Sequence, residues 1–276
     1  MDHSSNKQFR GYKAGALHTL FFQKYNPEDP QDRIDLNMEE IKQYLDRRGE
    51  TPGNIHNFFK DIVRSGKMPS QLSELKQLGY HIIQTEKGGA FVRSTNDSVS
   101  DIVDISTQEV IYETLNSDLL PAIVWELIRT DEGAIMSILE YCKILERVTG
   151  AHQVFRVQAP LKVQPNEVDG CYVFEQNGLT TLIAVEAKSK GSDVLLKHQI
   201  FGSAHQALNH FGMFVDEVRP VGIKIQLDNT LLVVTFGAYS DGHRTPEVES
   251  VFLFTFSRIP YQWTIKRTRK GQLPLL

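Results

Sequence analysis

The dipeptide Asn177-Gly178 lies between two apolar, β-branched runs, residues 168–175 and 179–188. Both residue types accept positive φ at low cost. The pair therefore fits a two-residue type I′ turn, whose twist matches an antiparallel hairpin. Such a turn sets the register on either side of it. Gln176 faces Leu179, and counting outward brings Asp169 opposite Glu186 and Glu167 opposite Lys188. All four side chains share one face, because residues two apart on a strand point the same way. Directly opposed residues have Cβ atoms ~5 Å apart, and like charges there are destabilising.

Two carboxylates so placed are satisfied by a cation. Hard oxygen donors without a neighbouring His/Cys set select Mg²⁺, with Mn²⁺ as a substitute, over zinc. The backbone carbonyl of Ala187, projecting sideways from its strand, is a candidate further ligand. Lys188 can aim its ammonium at a water or at developing negative charge. On the competing reading the face is solvated and Lys188 simply pairs with Glu167. That pair would be worth only ~0–1 kcal/mol and would leave Asp169 facing Glu186. A β-bulge at Gly170 would break the register.

The chain's 276 residues suffice for one large domain or two ordinary ones, and 41% hydrophobic with 23% charged residues describes a soluble globular protein. No apolar run reaches the ~18 residues of a membrane span. The N-terminus lacks the apolar core of a secretory signal, and two cysteines make neither a disulfide framework nor a zinc cluster. A reducing cytoplasmic setting, with no membrane partner, is expected. The formal charge of −4 argues against a non-specific nucleic-acid coat but not against a DNA enzyme with local basic clusters, such as the tail Lys266 to Lys270.

Periodicity, caps and breakers predict helices over 12–25, 38–48 (capped by Asn37), 54–64 and 70–78, then strands over 79–85 and 90–93. A polar stretch, 94–100, reads as a linker between domains 1–95 and 96–276. Beyond it come predicted helices at 107–115, 120–129 and 133–148. Strands follow at 152–158, 168–175 and 179–188, then a helix to about residue 210 and strands at 231–236 and 251–256. The fold class is α/β (α+β) in two domains.

Asp169 followed on the second strand by Glu186-Ala187-Lys188 resembles the D…(D/E)xK signature of the PD-(D/E)xK nucleases. The likeness covers roughly residues 135–210, with Val168 where the family usually has Pro. It implies a mixed β-sheet flanked by helices, as in restriction endonucleases, with Asp169 and Glu186 holding Mg²⁺ and Lys188 assisting the attacking water. It also implies a further acid from the preceding helix, for which Glu140 is preferred over Glu126 and Glu146. A Gln or Lys on the following helix, here Gln199, would lie near the scissile phosphate. Helices followed by a β-hairpin make residues 1–95 similar to a winged helix-turn-helix domain. Its candidate DNA contacts are Ser70, Gln71, Ser73 and Lys76 on one helix, Asn54, Asn57, Lys60 and Arg64 on another, and Lys87 in the wing.

The expected function is Mg²⁺-dependent, site-specific cleavage of double-stranded DNA, as by a type II restriction endonuclease. A homodimer would be the economical way to cut both strands. Two alternatives stay open. One is a repair, transposition or antiphage nuclease acting on structured or modified DNA. The other is a non-catalytic winged-helix regulator.

Overall fold

The computed structural model describes residues 5–51, 58–63, 72–85, 88–93, 102–163, 167–191, 194–240 and 246–264. The chain divides into two compact units: Met1–Asp104 with Val163–Asn166 and Leu196–His198, and Ile105–Lys162 with Glu167–Leu195 and Gln199–Leu276. The division after Asp104 falls a few residues beyond the expected boundary at 95. The proposed linker 94–100 lies outside the described residues.

The first unit runs α1 (Ser5–Lys24), β1 (Arg33–Asn37), α2 (Met38–Arg47), α3 (Phe58–Val63), α4 (Ser73–Gln77), β2 (Tyr80–Thr85) and β3 (Gly88–Arg93). Its three strands form an antiparallel sheet in the order β1-β3-β2. Asn37 caps α2 as expected. Its side chain accepts from the Glu40 amide at 2.8 Å and the Glu40 carboxylate accepts from the Asn37 amide at 3.0 Å, a reciprocal box worth about 1 kcal/mol. Ile41 and Leu45 then point into a core with Leu17, Phe21, Phe58 and Phe91. Strand β1 falls between the helices expected at 12–25 and 38–48. Ile34 and Leu36 turn inward while Arg33, Asp35 and Asn37 turn out, an alternation short enough to escape notice. Gly89 has a packing reason, since a Cβ there would come within 2.2 Å of the Phe59 ring.

The second unit is built on a seven-stranded mixed sheet, β4-β10-β9-β8-β7-β6-β5. In chain order its elements are β4 (Val110–Leu115), α5 (Ala122–Leu127), α6 (Glu132–Tyr141), α7 (Ile144–Thr149), β5 (Phe155–Gln158), β6 (Gly170–Gln176) and β7 (Leu179–Lys188). Then come α8 (Lys197–Phe211), β8 (Glu217–Ile225), β9 (Leu231–Phe236), β10 (Val248–Phe256) and α9 (Tyr261–Thr264). β5, β6 and β7 form an antiparallel meander, and α8 carries the chain over to β8, which runs parallel to β7. One sheet face, with Tyr172, Ile183, Val185, Ala187 and Ile223, packs with Trp125, Ile135, Ile138 and Leu139 of α5 and α6. The opposite face receives α8, whose Ile200 closes on Gly222 of β8, where a Cβ would come within 2.8 Å of Ile200 Cδ1.

The second unit also differs from expectation. Residues 107–115 were expected to be helical, but Val110, Ile111, Tyr112 and Thr114 are β-formers and build β4 beside β10. The single helix expected over 133–148 breaks at Lys143, which takes φ +50° between α6 and α7. β8 was unforeseen because Pro220 and Gly222 interrupt its pattern. Pro220 is tolerated between the isolated Val218–Tyr239 bridge and the β9 ladder, which starts at Val221.

No described helix is long and apolar enough to cross a membrane.

Candidate functional site

Asn177 and Gly178 have φ of +54° and +78°, as a type I′ turn requires, and Gln176 pairs with Leu179. The β6–β7 register then runs without a bulge to Gly170 opposite Val185. Gly170 is where α6 comes down on the strand: a Cβ there would lie 2.8 Å from Met136 Sδ. Beyond Gly170 the chain leaves β7. Val168 exchanges hydrogen bonds with Leu161 instead, at 3.1 and 2.8 Å. The Ala187 amide is satisfied by a side chain in place of the missing strand: Asp169 Oδ2 accepts from it at 2.7 Å. The departure delivers the Asp169 carboxylate to the end of β7, beside Glu186.

Glu186 and Lys188 are buried, with 8% and 10% of their side chains exposed, and the Lys188 ammonium donates to Glu186 Oε1. Ser203 on α8 donates its hydroxyl to Glu186 Oε2 at 3.0 Å. The expected facing of Glu167 and Lys188 does not occur. The strand has turned away by then, Glu167 is exposed, and Lys188 takes Glu186 as its partner.

Burial, followed by the charge of Glu186, pushes the Asp169 carboxyl up to about 8, against the lowering effect of its bond to the Ala187 amide. Burial alone would lower Lys188, but the Glu186 carboxylate, its hydrogen bond and Asp169 together raise it above an ordinary lysine. Glu132 acts electrostatically on both groups, raising each. This residue sits in the first turn of α6, whose N-cap Asp131 accepts from the Ala134 amide at 3.0 Å.

Glu132 is thus the α6 acid whose charge acts on Asp169. Glu140 lies at the other end of α6. Its carboxylate is taken by Arg156 at 2.9 Å and the Tyr172 hydroxyl at 3.2 Å, which accounts for a carboxylate among Ile138 and Leu139 without a metal ion. Ser203 and Glu132 were both missed. A lone hydroxyl inside the apolar stripe Ile200, Ala204, Ala207 was the available signal for the first. Asp131-Glu132 ahead of an apolar run, a helix-start pattern, was the signal for the second.

Gln199 lies one helical turn before Ser203. Its side-chain Oε1 is buried and has no hydrogen-bond partner among the described residues. Ala187 enters the site through its amide, as donor to Asp169.

The donor set suits a hard divalent ion. The half-buried Asp169, whose carboxyl is raised by desolvation and then by the Glu186 charge, and the buried Glu186 would be relieved by a cation. Among the described residues no group of three or more His, Cys, Asp or Glu side chains is gathered tightly enough to form a metal cage. An ion here would rest on Asp169 and Glu186, with water and substrate filling its other positions, which is the habit of Mg²⁺ and not of zinc.

In the first unit Ser73 and Lys76 lie on the exposed side of α4, while Leu72 and Leu75 are buried. Glu74 on the same side accepts from His18 at 3.1 Å. Asn54, Asn57, Arg64, Ser70, Gln71 and Lys87, the side chain of Lys60, and the basic tail lie outside the described residues. No family model, curated protein or solved structure matches the chain.

Proposed function

We propose that the chain is a Mg²⁺-dependent endonuclease that hydrolyses phosphodiester bonds of double-stranded DNA at a specific sequence. Its centre would be Asp169, Glu186 and Lys188, the residues that resemble the PD-(D/E)xK signature. The observation that carries this reading is the half-buried Asp169 carboxyl, raised to about 8 beside Glu186 and accepting from the Ala187 amide. A carboxyl kept neutral at such a cost to acidity, next to a second acid, is a functional-site signature.

The ion, when bound by Asp169 and Glu186, supplies Lewis acidity toward the phosphodiester and an acidified water. Ser203 holds one Glu186 oxygen in place, leaving the other to turn from Lys188 toward the ion. Lys188, which donates to Glu186 here, would serve as a donor to negative charge on the phosphate. Gln199 offers an unfilled acceptor to a water or substrate group.

The fold around the site supports the same reading. An antiparallel meander, a helix and a parallel strand, β5-β6-β7-α8-β8, follow the order of a restriction-endonuclease-like core. The first unit's order α1-β1-α2-α3-α4-β2-β3, with sheet order β1-β3-β2, supports a winged helix that binds the duplex. A homodimer follows from the need to cut both strands.

The test is a Mg²⁺ digest of unmethylated plasmids with mapped ends. Discrete fragments are expected from the wild-type chain and none from Asp169→Ala or Lys188→Ala. A smear would replace site-specific cutting by a nuclease of structured or modified DNA. Undiminished cutting by either variant would overturn the site.

A further inference from the structure

We propose that Lys190 is a positioning residue for the site: it fixes the start of α6, and with it Glu132, against the end of β7. The inference rests on the nuclease reading above. β7 and β8 run parallel, so Lys190, two residues past Lys188, lies at the same end of the sheet as Asn229 in the β8–β9 turn. The half-buried Lys190 ammonium donates there to Asn229 Oδ1, and at 2.9 Å to the Trp263 carbonyl in α9. The turn is a fixed anchor, closed by Gln226–Thr230 and Asn229–Gln226 backbone bonds of 2.8 and 3.1 Å. The Lys190 amide donates to the Thr130 carbonyl at 3.4 Å. Trp263 is buried against Phe256, ring centroids 5.3 Å apart, and its Nε1 donates to the Arg129 carbonyl at 2.7 Å. One lysine thus ties together β7, the β8–β9 turn, α9 and the two residues before Asp131, the cap of α6. An ammonium has three donors and can bridge two acceptors, which a methionine of similar length cannot.

The tie reaches the chemistry through α6. This helix meets the sheet at Gly170, the neighbour of Asp169, where a Cβ would lie 2.8 Å from Met136 Sδ. Glu132 lies one helical turn before Met136 on the same face, and its charge acts on both Asp169 and Lys188. The place of Glu132 is therefore set at two points. Met136 on Gly170 holds the middle of the helix, and Lys190 with Trp263 holds its start. Without the second point the helix pivots about the first, and Glu132 moves relative to the two carboxyl groups that would hold the cation. Displacements on the order of 1 Å cost about 10²-fold in rate. The loss belongs to the chemical step and not to duplex binding.

The experiment separates the two. Cutting by the full chain is followed in single turnover at saturating duplex in Mg²⁺, and duplex binding is measured with Ca²⁺ in its place. Lys190→Met is expected to cut roughly 10- to 100-fold more slowly while binding duplex within about two-fold of the wild type. Trp263→Phe, which removes the indole donor and keeps a ring, is expected to show the same split and decides the matter if Lys190→Met does not fold. Glu132→Gln closes a double-mutant cycle. Alone it slows cutting, and joined to Lys190→Met it is no slower than the slower of the two single variants, because both act through one carboxylate. A wild-type rate in folded Lys190→Met or in Glu132→Gln, or losses that multiply in the double variant, would overturn the proposal and leave Lys190 as a clamp for the fold alone. Failure of the wild type to cut any duplex in Mg²⁺ would instead overturn the nuclease reading, and this inference with it.

Discussion

At Asp169 two demands on one carboxylate conflict. Its hydrogen bond to the Ala187 amide favours the charged form, whereas burial and Glu186 favour the neutral one, and the neutral form wins up to about pH 8. The consequence for stability has a definite sign. The folded chain keeps a proton that the unfolded chain gives up near pH ~4, so folding takes up a proton between about pH 4 and 8. Stability contributed by this group therefore declines as pH rises through that window and is flat above it. Metal-free thermal melts from about pH 5 to pH 8 should fall more steeply for the wild type than for Asp169→Asn, which still offers an oxygen to the Ala187 amide. Mg²⁺ should raise the wild-type melting temperature at about pH 8 and leave that of Asp169→Asn unmoved. Equal slopes for the two proteins would dismiss Asp169 as a proton holder. The Glu186–Lys188 pair makes a second case. Removing only the lysine strands a buried carboxylate, so Lys188→Met should cost about 3–5 kcal/mol in denaturant unfolding. Adding Glu186→Gln to Lys188→Met should recover much of that loss. Additive losses in the double variant would contradict a mutually dependent pair.

Among the elements, the β6–β7 hairpin was the most legible, and the reason is local. Asn177-Gly178 needs no distant partner to choose its turn, and the turn carries Gly170–Gln176 and Leu179–Lys188 into register with it. Gly178 has φ +78° and a Cβ there meets nothing within 4 Å, so Gly178→Val isolates the backbone cost. A loss of about 1–2 kcal/mol in unfolding is expected. A loss indistinguishable from zero would mean that the turn does not hold the register. The reading failed where tertiary partners decide. Counting along the hairpin carried Glu167 to Lys188, but the Leu161–Val168 bridge, invisible locally, takes the chain away beyond Gly170. Starting a helix at Gly133 hid Glu132, and the positive φ of Lys143 that ends α6 early leaves no mark in the apolar pattern. β8 hid behind Pro220, which is harmless only because of where the β9 ladder begins. The two carboxylates and the lysine could be named from sequence. The Glu132 charge and the Ser203 bond required the packing of α6 and α8.

For the whole molecule, the proposed division of labour makes binding and metal chemistry separable. Each unit has its own apolar core, one around Phe21, Ile41 and Phe91, the other around Ile138, Val185 and Ile223. The exposed side chains of α4 are part of neither core. Lys76 is exposed on α4 beside Ser73, and if this side meets the duplex its ammonium neutralises a phosphate. Lys76→Ala should then weaken binding across duplexes of different sequence and reduce the salt slope by about 1. Ser73→Ala should leave that slope unchanged while altering which duplexes are preferred. Both variants should keep the full rise in melting temperature on adding Mg²⁺, because Asp169 and Glu186 are untouched. Asp169→Asn should show the reverse, binding duplex with a wild-type salt slope in the absence of metal while losing the Mg²⁺ response. Filter binding and thermal melts on the same preparations give both columns of this comparison. If Lys76→Ala matched the wild type in affinity and slope, α4 would not face DNA. If it abolished the Mg²⁺ response instead, the two roles would not be divided between the units at all.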